Sequence, residues 1–131
     1  MKLDFSGTWA ADLSNSRFAG PKPASLLVVI EHRNPKLRQE LVVTKADAST
    51  DRAMFECQIG KEGRLLFNGN QLRGAAKWVD DELVIESWIK IGERELCFCD
   101  CWSLSPDGQR LIMEHRNDAL AGQHVECQRV V

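Results

Sequence analysis

The sequence predicts an all-β protein, a single antiparallel up-and-down β-barrel of about 8–10 strands with at most one short helical turn. Three observations carry that expectation. Apolar and polar residues alternate with a period of two through most of the chain, turn residues recur at short intervals, and no stretch keeps the apolar period of an amphipathic helix. With 131 residues, 44% of them hydrophobic, the chain has the length of one domain (1–131) and enough apolar material for one core.

The first strand is expected at residues 3–12, where Gly7 lets the chain bend sharply at a barrel corner. Ser14 to Pro23 has room for one helical turn, capped by Ser14 or Asn15 and stopped by Pro21. Strands at 24–33 and 36–45 flank a break at Asn34-Pro35, and a strand at 51–59 follows the turn from Asp47 to Thr50. Gly60 to Gly63 precede a short strand at 64–67, and Asn68-Gly69-Asn70 supplies the positive-φ positions of a tight turn into 71–79. Asp80-Asp81 leads to 82–90 and Ile91-Gly92 to 94–104. Ser105-Pro106-Asp107-Gly108 then leads to 109–116, and Asn117 to Gly122 to 123–131. A meander this long leaves vulnerable edges unless it closes, which favours a barrel over a sandwich.

Alternation also sorts each strand into two faces. Leu37, Gln39, Leu41 and Val43 share the inward face of one strand, and Ala53, Phe55, Cys57 and Ile59 that of the next. Further along, Leu72, Gly74, Ala76 and Trp78 point inward, as do Leu83, Ile85, Ser87 and Ile89, and then Leu111, Met113 and His115. A two-residue turn at Asp80-Asp81 pairs Val79 with Glu82 and sets Trp78 opposite Leu83. A turn centred on Pro106-Asp107 pairs Leu104 with Gln109 and turns Phe98, Asp100, Trp102 and Leu104 inward. Asp100 and His115 then lie diagonally across that hairpin.

The stretch Leu96 to Trp102, LCFCDCW, carries three cysteines at alternate positions. The same parity turns Cys97, Cys99 and Cys101 outward. Side chains at i and i+2 of a strand stand roughly 6.5–7 Å apart, whereas thiolates on one zinc sit within about 4 Å of each other. Reduced thiols on an outer strand face are therefore expected, with no metal and no cofactor.

Phe5-Ser6-Gly7-Thr8-Trp9 on the first strand and Cys127-Gln128-Arg129-Val130-Val131 on the last resemble the calycin superfamily, the lipocalins and fatty-acid-binding proteins. Members open with Gly-x-Trp and place an arginine on the last strand. The resemblance implies a ligand-holding barrel with Gly7 and Trp9 as a structural motif. It leaves Arg129 two roles, stacking on Trp9 to plug one barrel end or reaching inward to pair a ligand carboxylate. Two features depart from the fatty-acid-binding branch. Val131 stands where those proteins carry a tyrosine two residues after the arginine, and Leu13 to Pro23 is too short for their two-helix lid. Haem-binding relatives use a Gly-x-Trp-x-Gly-x-Gly opening and a late histidine. That glycine pattern is broken here, which sets His115 and His124 aside as iron ligands. The propeller-like turn from Trp102 to Gly108 has no second copy and reads as a hairpin.

A formal net charge of −2 offers no basic field for nucleic acid, and no apolar run is long enough for a membrane-spanning helix. The opening MKLDFSGTWA has no basic-then-apolar leader. With five cysteines, an odd number, free thiols in a reducing, cytoplasmic setting are expected. The expected function is binding of a small lipophilic ligand in the barrel interior, for transport, buffering or sensing, with a carboxylate or other acceptor group on the ligand. Its polar contacts would be Arg129, His115, Asp100, Gln39 and Ser87, and its apolar wall Phe55, Trp78, Phe98, Trp102, Met113 and Leu41. Two alternatives stand beside it: a barrel isomerase or cyclase using Asp100 and His115 as acid and base, and a protein-binding module with a filled interior. The expected partner is a small hydrophobic molecule, with neither nucleic acid nor membrane insertion.

Overall fold

The computed structural model describes residues 4–18, 21–67, 70–117 and 122–130. Ten strands follow one another: β1 (Gly7–Ala11), β2 (Ser25–Arg33), β3 (Lys36–Thr44), β4 (Thr50–Gln58) and β5 (Glu62–Phe67), then β6 (Asn70–Val79), β7 (Glu82–Ile91), β8 (Arg94–Leu104), β9 (Arg110–Asn117) and β10 (Gln123–Arg129). Each pairs antiparallel with its chain neighbours, and β1 pairs with β10 through Trp9 opposite Arg129, so the meander closes into a barrel. Closure removes the two free edges that a flat sheet of this length would expose. The strands fall where alternation placed them, except that β5 starts two residues early, at Glu62, and β1 is trimmed to Gly7–Ala11. The turn at Asn68-Gly69, residues 118–121 of the last hairpin loop, Leu3 and Val131 lie outside the described residues.

The β6–β7 hairpin has the expected register, with Val79 opposite Glu82, Trp78 opposite Leu83, and Asp80 at φ 55°. The β8–β9 hairpin differs. Its loop is longer than a two-residue turn: Ser105 N donates to Arg110 O, Gly108 N donates to Ser105 O, and Gly108 takes a φ of 72°. The Asp107 carboxylate tightens this loop by accepting from Ser105 Oγ and Gln109 N. Leu104 consequently pairs with Leu111, not Gln109, and Asp100 sits directly opposite His115 instead of diagonally. A shift of two residues preserves parity, so the inward set on both strands is unchanged.

Between β1 and β2 a single 3-10 turn spans Leu13–Asn15. Its cap is Asp12, not Ser14 or Asn15. The Asp12 carboxylate accepts from Ser14 Oγ and Asn15 Nδ2 at 2.8 Å each and from Arg110 Nη2 at 2.9 Å. Those donors, Ser14 first, pull its pKa down to about 2. The connector is pinned to β10 by the reciprocal backbone pair of Arg17 and His124, and Phe18 packs onto the core. No two-helix lid is present among its described residues.

Strand direction gives the barrel two unlike ends. One end holds Phe5, Trp9, Leu37, Leu83, Leu111 and Cys127, all essentially removed from solvent. Towards the other end, inward residues on the same strands keep part of their surface: Leu37 is 2% exposed, whereas Leu41 and Val43 are only half-buried. Trp102 is buried, whereas Phe98 and Leu96 are not fully covered. On β3 and β8 the inward side chains are thus less fully covered towards the second end, although Leu26 and Val125 remain buried there.

Candidate functional site

The packed end is closed by Trp9 and Arg129. Arg129 Cζ lies 4.2 Å from the centre of the Trp9 ring. Its Nη1 donates to Ser6 O at 2.9 Å, and its Nη2 and Nε donate to Gly108 O at 3.2 and 3.4 Å. Gly7 is required here twice over. Its φ is 137°, and a Cβ at this position would stand 2.7 Å from Arg129 Nη1. Trp9 in turn donates its indole N–H to Phe5 O. Of the two roles left open for Arg129, this geometry is the plug.

Above the plug lies a floor of aromatic rings. Phe5 stacks on Trp78 and His32 at centroid distances of 5.8 and 5.9 Å, and meets Trp102 edge-on at 5.8 Å. His32 is buried. Its Nδ1 accepts from Phe5 N, and its Nε2 has no hydrogen-bond partner among the described residues. Burial depresses its pKa, with Asp4 opposing, so the ring is held neutral.

The less covered half carries the polar pair. His115 Nδ1 and Asp100 Oδ1 are 2.7 Å apart, directly across the β8–β9 ladder, with 32% and 34% of their side-chain surfaces exposed. Phe98 stacks on His115 at 6.1 Å. The hydrogen bond to Asp100 raises the His115 pKa against the opposing effect of burial. Gln39 donates to Met113 Sδ at 3.5 Å across the interior. Ser87 is buried opposite Phe98, and Phe55 lies half-buried opposite Gln39, next along β3 to Leu41. The sequence-derived set thus separates into three groups. Arg129, Gly7 and Trp9 form the plug, Trp78 and Trp102 the floor, and Asp100, His115, Phe98, Gln39, Met113, Ser87, Phe55 and Leu41 the wall above it. Sequence reasoning passed over Gln123, which β9–β10 pairing sets beside His115 on the same face, and left His32 unplaced.

Cys97, Cys99 and Cys101 face outward, opposite Trp88, Glu86 and Val84. Cys101 is the neighbouring thiol on the same face as Cys99. Burial and that neighbour push Cys99 up to about 11. No cluster of three or more metal-ligating side chains occurs among the described residues. His124, bonded to Glu114, lies on the outer wall.

Chemically, an imidazole oriented by a carboxylate can hold or move one proton, and the wall around it accepts apolar groups.

No family model matches the sequence, and no curated protein sequence does. Solved structures do resemble the fold. The apo form of lipid binding protein 8 of Caenorhabditis elegans superposes with a TM-score of 0.70 at 10% identity, over 96% of this chain and 95% of that one. The wild-type fluorescent protein UnaG does so with a TM-score of 0.61 at 11% identity, over 96% of this chain and 97% of that one. The fold is therefore the antiparallel β-barrel fold of these two structures.

Proposed function

We propose that the protein binds a small lipophilic molecule inside its closed β-barrel, the ligand's polar end resting against Asp100 and His115. One observation carries this reading. These two residues point inward yet keep about a third of their side-chain surfaces exposed, while Phe5, Leu37, Leu83 and Leu111 towards the opposite end keep almost none. A wall of Leu41, Phe55, Phe98 and Met113 around one polar pair is the usual make-up of a small-molecule site. That one of the similar folds is named a lipid binding protein supports the same reading. In this reading the protein carries, buffers or senses its ligand. The ligand carboxylate expected from sequence rested on Arg129, whose donors are engaged in the plug, so Arg129 is left out of the binding set.

Native mass spectrometry of the protein as purified from its expression host tests the proposal. An adduct of small-molecule mass that is released on denaturation is the expected result. Bare protein that also fails to take up any lipophilic probe would overturn it.

A further inference from the structure

Building on the ligand-binding reading, we infer that the barrel selects ligands whose head group donates a hydrogen bond, an alcohol or an amine, and discriminates against carboxylates. The argument is an inventory of charge on the inward face. Among the described side chains within the barrel wall, the inward set contains one carboxylate, Asp100, and no lysine; at the strand ends the exposed Asp51, opposite inward Val43, is paired with Lys45 at 2.8 Å. Two described arginines share the inward parity: Arg94, exposed at the start of β8 opposite Ile91, and Arg129, whose Nη1, Nη2 and Nε all donate to Ser6 O and Gly108 O while its face covers Trp9. Arg94 stands six residues from Asp100 along β8, about 20 Å at the ~3.3 Å rise of a strand, and the other described lysines and arginines lie on the outward face or in turns: Lys36 and Arg38 alternate with inward Leu37 and Gln39, and Arg52 bridges Glu40 on the outer wall.

His115 does not reverse this balance. Its Nδ1 is 2.7 Å from Asp100 Oδ1, so any positive charge on the imidazole is matched by the carboxylate beside it. A ligand carboxylate beside this pair would lose part of its hydration and meet no net positive charge there. A hydroxyl or ammonium group would find an acceptor already built. Asp100 Oδ1 is used by His115, while Oδ2 makes no hydrogen bond among the described residues. Its side chain is 34% exposed, so a head group can reach it. Discrimination of this kind rests on the repulsive element as much as on the attractive one.

The test uses the full chain at pH 7.5 with 1,6-diphenylhexatriene as fluorescent reporter, displaced by decanol, decylamine or decanoate below their aggregation concentrations. Decanol and decylamine are expected to displace the reporter at about tenfold lower concentration than decanoate, the difference one hydrogen bond to a charged acceptor makes. In Asp100→Asn, which keeps the shape and removes the charge, decylamine should weaken about tenfold and decanoate should hold or improve. Decanoate competing as well as decanol in the wild-type protein overturns the inference while leaving ligand binding intact. No uptake of the reporter at all overturns the binding reading and the inference with it. The wild-type comparison decides the matter even where Asp100→Asn does not fold.

Discussion

Arg129→Met separates a plug from an anchor. The substitution keeps an unbranched apolar stem and removes the guanidinium, which stacks 4.2 Å from the Trp9 ring centre and donates to Ser6 O and Gly108 O. Loss of the stack costs about 0.5–2 kcal/mol. The two carbonyls that lose their donors add about 1–3 kcal/mol together, discounted because the site is only part-buried. Retained packing of the methionine offsets some of this, which leaves a net destabilisation of about 2–3 kcal/mol. With a urea m-value near 2 kcal/mol/M for a chain of this size, the unfolding midpoint falls by about 1–1.5 M at unchanged slope. Tryptophan fluorescence reads the transition, since Trp9, Trp78 and Trp102 all sit at or next to the affected end. Reporter binding in the less covered half should be unaffected at low denaturant. A midpoint shift too small to measure, accompanied by lost reporter binding, would refute the plug and return Arg129 to the pocket.

Other perturbations read the two ends and the polar pair. Leu37→Ala, at a site 2% exposed, should cost about 2–5 kcal/mol in urea unfolding. Leu41→Trp, four residues along the same face where the side chain is only half-buried, should cost less than about 1 kcal/mol yet block reporter uptake; a large loss of stability would mean that region is packed. The raised pKa of His115 makes its bond to Asp100 a stabilising contribution that is fully present below pH 6.5 and lost as pH rises through the folded-state value. The stability gap between wild type and His115→Phe should therefore be wider at pH 5.5 than at pH 9, and a gap independent of pH contradicts the assignment. Comparing variants at each pH also removes the opposite contribution of His32, whose depressed pKa lowers stability as pH falls below 6.5. Cys57 and Cys127, pushed up to about 12 by burial, should resist iodoacetamide at pH 8 until urea unfolds the chain, as read by peptide mass spectrometry.

Alternation made the strands and their faces legible because the side-chain period is a property of the backbone. It therefore survived even where the β8–β9 loop was misjudged by two residues. That error set Asp100 and His115 diagonally rather than directly opposite each other, since loop length depends on how Asp107 and Gly108 fold the turn rather than on any periodic signal. The pattern could not tell a fully covered inward side chain from a partly covered one. Leu37 and Leu41 are the same residue type on the same face of one strand, and only the closing of the barrel by Phe5, Trp9 and Arg129 makes one packed and the other half-buried. The role of Arg129 was undecidable for a related reason. A guanidinium on the inward face at a strand end can turn either way, and the choice follows from the carbonyls that Ser6 and the Gly108 loop present to it. The cap at Asp12 was missed because one of its three partners, Arg110, is distant in sequence, and because Ser14 and Asn15 donate to the cap instead of forming it.

The most direct measurement of the central claim uses the chain's three histidines as position markers. His115 lies in the less covered half, His32 in the floor and His124 on the outer wall. Imidazole nitrogen spectra of uniformly labelled protein, recorded with and without decanol, resolve all three. Binding inside the barrel at the polar pair predicts a saturable shift of the His115 ring nitrogens with His124 unchanged. A saturable shift of His124 with His115 unmoved would place the ligand outside the barrel and contradict the account.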